Sequence, residues 1–388
     1  MDNNERLATI SQAFSPNTPI NSRDLFCGRL DQLNRILAIC AEAGTHCVMF
    51  GERGVGKTSL ANIMHQAMPL DVCVRVPCES TDTLGSIFKK IGRRIQFASS
   101  NPLDGFIQDA PQQSQQLAIP EDASVDDVSL ILAQLPQKTL LILDEYDRLD
   151  HGCRARQDIA ELLKTLSDTG LQLTVLLVGV ANDLIELTDD HPSLTRCVKE
   201  VSLPRMSETE LTEIIDTGLA LLEMEMIDDI RKSITQLSAG FPHYVHLLCK
   251  HSVLAALNSG SSLIQSGHYE VSLDQAVADA HGSLSSTFTK AKMSTRPSYF
   301  TDVLFAIGIV EEDDVGTFQA KDLVECLERI GQPLQVEAFA YHLGKLCDTE
   351  RGPVLEKLGS NKRHRYRLIN PIMKPFLRLE YERSIRPK

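Results

Sequence analysis

The sequence predicts an α/β fold on a parallel sheet, followed by a helical region and a winged helix-turn-helix unit. Three observations carry that expectation. From Arg23 to about Val201, short apolar runs alternate with helical segments. After Leu203-Pro204 this alternation gives way to helix-period patterns. Near the C-terminus, three helical segments precede a two-stranded pattern, VLEKL (354–358) and RYRLI (365–369), joined by a loop that includes GSNKRH.

Residues 1–22 form a polar lead-in, expected to be loose. The core follows over 23–204, with strands expected at HCVMF (46–50), VCVRV (72–76), LLILD (140–144) and LTVLLVGV (173–180). Helices are expected at about 29–42, 57–67, 83–96, 125–134 and 154–168. Residues 98–124 break the rhythm with Pro, Asp and five Gln, and are expected as a surface insertion. A helical region, 205–294, opens with Ser207-Glu208-Thr209-Glu210, the capping-box form. Its helices are expected at about 207–222, 227–238, 241–257 and 272–291. The third unit, 295–388, has helices expected at about 298–309, 318–330 and 334–347 ahead of the hairpin.

Composition narrows the function classes. No run approaches the roughly 18 apolar residues of a membrane helix, and MDNNERLATI lacks the basic-then-apolar order of a signal peptide. A cytoplasmic chain with no membrane partner is expected. The ten cysteines show no CxxC pair and no Cys/His cluster at metal-ligand spacing, and Cys47 and Cys249 lie in apolar runs. Buried thiols are therefore expected rather than disulfides or a zinc site. The net charge of −13 argues against a protein that coats nucleic acid indiscriminately. Residues 351–388 hold 11 Lys/Arg against 3 Asp/Glu, whereas 1–350 hold 28 against 49, so any anion-binding surface is local and C-terminal.

FGERGVGKTSL follows an apolar strand and opens a helix, the context a phosphate-binding loop requires. Gly51, Gly54 and Gly56 let backbone N–H groups, that of Val55 included, curl around phosphates without Cβ clashes. Lys57 would reach the β- and γ-phosphates and Thr58 would ligand Mg²⁺, while Ser59 sits in the helix start whose dipole favours the anion. LLILDEYDRL sets Asp144 and Glu145 at the end of the most apolar strand, where α/β sheets bind ligands. Asp144 would hold Mg²⁺ and Glu145 would orient the attacking water. Asp147 and Arg148 are expected on the surface.

With these motifs in place, the sequence resembles the AAA+ ATPases, in the branch that holds origin-recognition-type replication initiators and STAND signalling ATPases. The resemblance covers roughly residues 23–256, and a C-terminal winged helix fits the same plan. It implies an AAA+ P-loop parallel sheet, a helical lid, ATP with Mg²⁺ as ligands, and nucleoside-triphosphate hydrolysis. RDLFCGRLDQL (23–33) resembles the segment that borders the adenine, which implies that role for Phe26, Gly28 and Arg29, the alternative being a plain helix entry with Arg29 exposed. LLVGVANDL (176–184) is similar to the fourth core strand, with Asn182 at the position that senses the γ-phosphate. HPSLTRCVKEVSL (191–203) resembles the stretch carrying the arginine finger; Arg196 is the candidate, the alternative being a surface salt bridge. One departure stands out. Where initiators carry Gly-Asp-x-Arg in the lid, this sequence reads AGFPHYVHLL (239–248), a form more like STAND ATPases. His243 is then either a phosphate contact or a structural histidine.

The third winged-helix segment offers Gln335, Glu337, His342 and Lys345, which is no basic reading head. The wing differs, since Lys362, Arg363, Arg365 and Arg367 cluster across a turn and suit backbone phosphate contact. The alternatives are a solvated wing or one that contacts protein. A second basic group, Lys89, Lys90, Arg93 and Arg94, occupies one helix. Two functions follow. One is an ATP-hydrolysing switch that couples nucleotide state to homo-oligomerisation and duplex DNA association. The other is a STAND-type signalling or defence switch whose winged helix meets a protein partner. A nucleotide-locked scaffold is a third reading, against which Glu145 weighs.

Overall fold

The computed structural model describes residues 3–20, 22–67, 70–95, 117–135, 138–180, 194, 196–279, 282–313, 315–359 and 364–386. The chain folds as two compact units. One comprises Ile20–Glu52 and Gly56–Pro204, the other the N-terminal segment up to Pro19, Arg53–Val55 and the chain from Arg205 onward.

After α1 (Asn3–Ala13), which belongs to the latter unit, the sheet-bearing unit runs α2 (Leu30–Ala41), β1 (His46–Phe50), α3 (Lys57–Ala67), β2 (Val72–Pro77) and α4 (Leu84–Arg94). It continues through α5 (Val125–Leu132), β3 (Thr139–Asp144), α6 (Arg154–Thr169), β4 (Leu173–Gly179) and β5 (Val198–Ser202). The strands pair in the order β2-β3-β4-β1-β5, every pair parallel. β1, β3 and β4 are buried at every position, which explains why their sequences are apolar without alternation. Val48, Leu141, Leu143, Val175 and Leu177 share one core cluster with residues of α4, α5 and α6. On the sheet, α2 lies against β1, β4 and β5, and α3 against β2 and β4.

β5 is a strand that hydrophobic patterning passes over. Only Val198 and Val201 of its five residues are buried, as suits an edge strand bonded to β1 alone. The expected insertion also changes at its second end. Residues 98–116 lie outside the described residues, but 117–124 run close along α4, where Ile119 is buried. Gly85 and Gly92, seven residues apart on one helix face, make the approach possible. A Cβ on Gly85 would stand 2.0 Å from the Glu121 carbonyl, and one on Gly92 2.2 Å from that of Leu117. Ser124 then caps α5 in a reciprocal pair with Asp127.

The second unit is helical. α7 (Glu208–Leu221) opens on the capping box between Ser207 and Glu210. β6 (Glu225–Met226), α8 (Asp228–Ser238), α9 (Pro242–Asn258), β7 (Leu263–Ile264), α10 (Ser266–Asp279) and α11 (Gly282–Lys292) follow. The lead-in is helical rather than loose: α1 packs on α7 and α9, and Ile10, Ala13 and Phe14 are buried. Those three apolar residues supply a driving force that the polar remainder of the segment obscures.

The C-terminal part runs α12 (Phe300–Ile309), β8 (Thr317–Phe318), α13 (Asp322–Arg329), α14 (Val336–Leu346), β9 (Leu355–Leu358), β10 (Arg365–Leu368) and α15 (Met373–Ile385). The order is that of a winged helix, with β8 widening the hairpin into an antiparallel sheet β8-β10-β9. α15, absent from the sequence expectation, packs on α8, α10 and α12. A buried ionic cluster ties the helical region to the winged helix. The Glu312 carboxylate takes Arg205 at 2.5 Å and Lys374 at 2.8 Å, with the Glu312 and Lys374 side chains each 4% exposed. Arg378 donates to the carbonyls of Gly308 and Gln236.

Candidate functional site

The site is built at the carboxyl ends of β1 and β3, which the sheet order holds one strand apart with β4 between them. Gly51, Gly54 and Gly56 take φ values of 154°, 90° and 99°, so the loop turns through conformations that side chains disfavour. A Cβ on Gly51 would also stand 2.3 Å from the Leu203 carbonyl oxygen. Lys57 opens α3, is 8% exposed, and donates to the carbonyls of Gly51 and Glu52, both at 2.8 Å. The ammonium is thus curled inside its own loop. Ser59 accepts the Ile20 N–H at 3.2 Å, which ties the segment ahead of the core to the loop helix.

Thr58 Oγ1 donates to Asp144 Oδ2 at 3.3 Å, so the loop hydroxyl and the strand-end carboxylate converge although 86 positions separate them. Asp144 is 4% exposed. Its Oδ1 accepts the Glu145 N–H at 2.9 Å, and its Oδ2 also takes the Arg75 guanidinium at 2.6 Å. A hydroxyl beside a carboxylate is a hard-oxygen pair of the kind Mg²⁺ takes up together with nucleotide phosphates. The cation that Asp144 already holds shows that the carboxylate is placed for positive charge. The residues therefore fit the ion. Among the described residues no group of three or more His, Cys, Asp or Glu could hold a metal.

Glu145 adopts left-handed backbone (φ 54°, ψ 37°) and starts a 3-10 turn over Tyr146–Arg148. Its side chain is 44% exposed and pairs with Arg148 at 3.2 Å. Asp147, expected only as a surface residue, accepts the Val180 N–H at 2.8 Å and so fixes the end of β4 to the turn after β3. Arg75 is the residue that motif reading missed. The available signal is a lone cation in the apolar run VCVRV, and its meaning depends on β2 lying beside β3.

The remaining candidates are spread more widely. Gly28 and Arg29 both have positive φ, 67° and 62°, at the start of α2. Arg29 is 4% exposed and donates to the Pro204 carbonyl, so it is a buried tie between the start and end of the core rather than an exposed helix residue. Arg196 is exposed and paired with Asp168 at 2.9 Å. Asn182 lies outside the described residues. His243 belongs to the second unit, in the first turn of α9, and its Nδ1 is 2.8 Å from the Pro16 carbonyl.

On the wing, Lys362 and Arg363 lie outside the described residues. Arg365 pairs with Asp313 at 2.6 Å, and Arg367 with Glu356 at 2.8 Å. The α4 basic group is similarly engaged, with Lys89 on Glu121 at 2.7 Å and Lys90 on Asp82 at 2.7 Å. All ten cysteines are free thiols, and burial pushes Cys40 up to about 11 and Cys73 up to about 12. No helix among the described residues is long and apolar enough to cross a membrane.

Residues 14–269 match the family model described as Novel STAND NTPase 1. No curated protein sequence matches the chain. Among solved structures, a Walker-type ATPase of Pyrococcus abyssi covers 93% of this chain and 99% of its own, at 15% identity and a TM-score of 0.58. The ORC2 protein of Aeropyrum pernix covers 96% and 97% at 15% identity and a TM-score of 0.48. Cdc6p of Pyrobaculum aerophilum covers 97% and 99% at 15% identity and a TM-score of 0.47. At such identities the first of these likenesses speaks to fold alone.

Proposed function

The chain belongs to the novel STAND NTPase 1 family and has the AAA+ P-loop fold, and from that premise we propose that it is an ATP-binding, ATP-hydrolysing switch whose nucleotide state governs self-association and engagement of a protein partner. The observation that carries this reading is the convergence of Thr58 Oγ1 and Asp144 Oδ2, 3.3 Å apart, beside the loop that Lys57 closes.

In this reading the incoming triphosphate replaces the loop carbonyls as the partner of Lys57. The loop N–H groups and the α3 N-terminus hold its phosphate oxygens. Mg²⁺, seated by Thr58 and Asp144, would supply charge neutralisation on the phosphate oxygens. Glu145 leaves its exposed pair with Arg148, a weak interaction, and orients the attacking water. Arg196 is the proposed trans finger. Its pair with Asp168 is open to solvent on both sides, with side chains 72% and 59% exposed, so a neighbouring subunit's nucleotide competes against little. Asn182 is proposed as the γ-phosphate sensor, and His243 as a lid residue responsive to nucleotide state.

A protein partner is preferred over duplex DNA because Arg365 and Arg367, two of the four wing cations, already face carboxylates. The test pairs fluorescent-nucleotide binding with phosphate release. Lys57→Ala should lose nucleotide binding by at least about 10-fold, whereas Glu145→Gln should bind normally and turn over about 100-fold more slowly. Light scattering of Glu145→Gln should show assembly in ATP·Mg²⁺ and not in ADP. Unchanged turnover in Glu145→Gln would remove that residue from its role, and a monomer in both nucleotides would remove self-association.

A further inference from the structure

Outside the nucleotide site, the winged-helix part carries a groove of about 1340 Å³, bounded by α11, the segment 293–299, α12, α14 and α15. That exceeds the roughly 300–1,000 Å³ of ordinary small-molecule sites and suits a length of peptide chain. Lys292, Arg296, Arg351, Arg383 and Arg386 line it, against the single lining carboxylate of Glu380, with Arg383 also paired to Asp274 at 3.3 Å. On a chain of net charge −13, that concentration of cations is a local reversal of sign.

The floor is aromatic and firmly built. His342 lies beneath it, 9% exposed, accepts the Tyr299 N–H at 3.2 Å, and stands edge-on to Phe300 with centroids 4.6 Å apart. Arg351 lies 3.7 Å over the Phe300 ring and donates to the carbonyls of Ala291 and Met293, both at 2.8 Å. Lys292 lies 4.5 Å over Phe288. Apolar side chains remain exposed at the groove: Met293 is 67% and Tyr341 65% exposed.

These features select between anionic polymers. Single-stranded nucleic acid is held by bases stacking on open ring faces, at about 1–3 kcal/mol per base. In this groove the floor rings Phe288 and Phe300 are already covered by cations and Arg351 is committed to its carbonyls, so that Tyr341 is left as a single exposed ring rather than a platform for successive bases. A peptide needs no stacking platform. Its carboxylates pair with guanidinium groups, and its apolar side chains lie against an adaptable Met and an exposed Tyr. We infer that the groove docks an acidic segment of a partner protein, with apolar anchors set between its carboxylates. The inference names the partner that the switch reading leaves open, and rests on that reading only for its purpose.

The test uses the full-length chain without nucleotide, so that its failure is separate from failure of the ATPase reading. The probe is a short fluorescein-labelled peptide in which Glu pairs alternate with Leu and Phe. Controls are the same peptide with Gln for Glu and a short labelled oligothymidylate. Wild type should bind the acidic peptide and not the Gln peptide. The double variant Lys292→Glu, Arg296→Glu, at two exposed rim positions, should weaken binding by at least about 10-fold, the effect of losing two charge contacts. Its ATP turnover should be unchanged, and its thermal midpoint should fall by no more than the loss of the exposed Lys292–Phe288 contact. Tyr341→Ser should weaken binding without altering its salt dependence. Failure of the acidic peptide to bind, equal binding of the Gln peptide, binding insensitive to the double variant, or tighter binding of the oligothymidylate would each overturn the inference.

Discussion

At the residue scale, Asp144 is the group around which the site is organised, and all its partners are already in place. Its Oδ1 takes the Glu145 N–H, while its Oδ2 is shared by Thr58 and the guanidinium of Arg75. A divalent cation reaching that oxygen must displace Arg75 or share the carboxylate with it. Arg75→Ala should therefore lower the Mg²⁺ concentration needed for half-maximal nucleotide binding. It should also lower the melting temperature of the ligand-free protein, because a buried carboxylate loses its counter-charge. Arg75→Lys should fall between the two. A fluorescence titration of Mg²⁺ at fixed nucleotide measures the first effect, and an unchanged midpoint would show that Arg75 takes no part in seating the metal. Sequence legibility at this scale follows chain proximity. Gly51 through Ser59 and Asp144-Glu145 announce themselves because each motif is contiguous and sits at the end of an apolar run. Arg75 and Asp147 do not, because their partners are set by strand order and by the end of β4.

At the element scale, β1, β4 and α6 meet on one histidine. His46 is fully buried, accepts the Val175 N–H on Nδ1 at 3.1 Å, and lies with Nε2 3.0 Å from the Leu163 carbonyl. That pattern requires a neutral ring protonated on Nε2. Burial depresses its pKa from 6.5 to about 4. Between those values the unfolded chain binds more protons than the folded one, so stability rises with pH. The contribution is complete above pH 6.5 and is lost as the pH falls toward 4, amounting to about 3 kcal/mol. His246, also buried and lowered to about 4, acts in the same direction. Melting temperatures at pH 7.5 and 5.5 should fall with acidity in wild type and fall less in His46→Gln. Equal slopes would mean that the ring titrates normally in the folded protein. The elements that patterning misses share a physical cause. β5 shows an apolar face of only two residues, β8 is a two-residue strand, and α15 carries Pro375 in its first turn. Each owes its structure to neighbours rather than to local preference. The long apolar strands and the helix that follows Ser207, whose capping box is contiguous in sequence, are legible by contrast.

At the scale of the whole molecule, the helical region and the winged helix are joined through charge as well as apolar packing. Burial holds the Lys374 ammonium down to about 8 even though Glu312 stabilises its charged form. Glu312→Gln would leave Lys374 and Arg205 without their shared counter-charge, which costs about 3–5 kcal/mol for a broken buried pair. Calorimetry should show an earlier transition for the unit that contains residues 205–388, with the nucleotide-responsive transition unmoved. A single uniform shift of both would mean that the cluster is not confined to one unit. The same unit has a further property that concerns its birth. α1 precedes the ATPase core in the chain, yet it buries Ile10, Ala13 and Phe14 against α7 and α9, which follow the core. At about 5–20 residues per second, the ribosome needs roughly 10–40 s to make the intervening stretch of about 200 residues. Through that interval the core can close its sheet while α1 waits, its apolar face uncovered, for partners not yet translated. A nascent chain arrested before Glu208 should accordingly expose Phe14 to chaperones and proteases, so that a segment synthesised ahead of the core is protected after it.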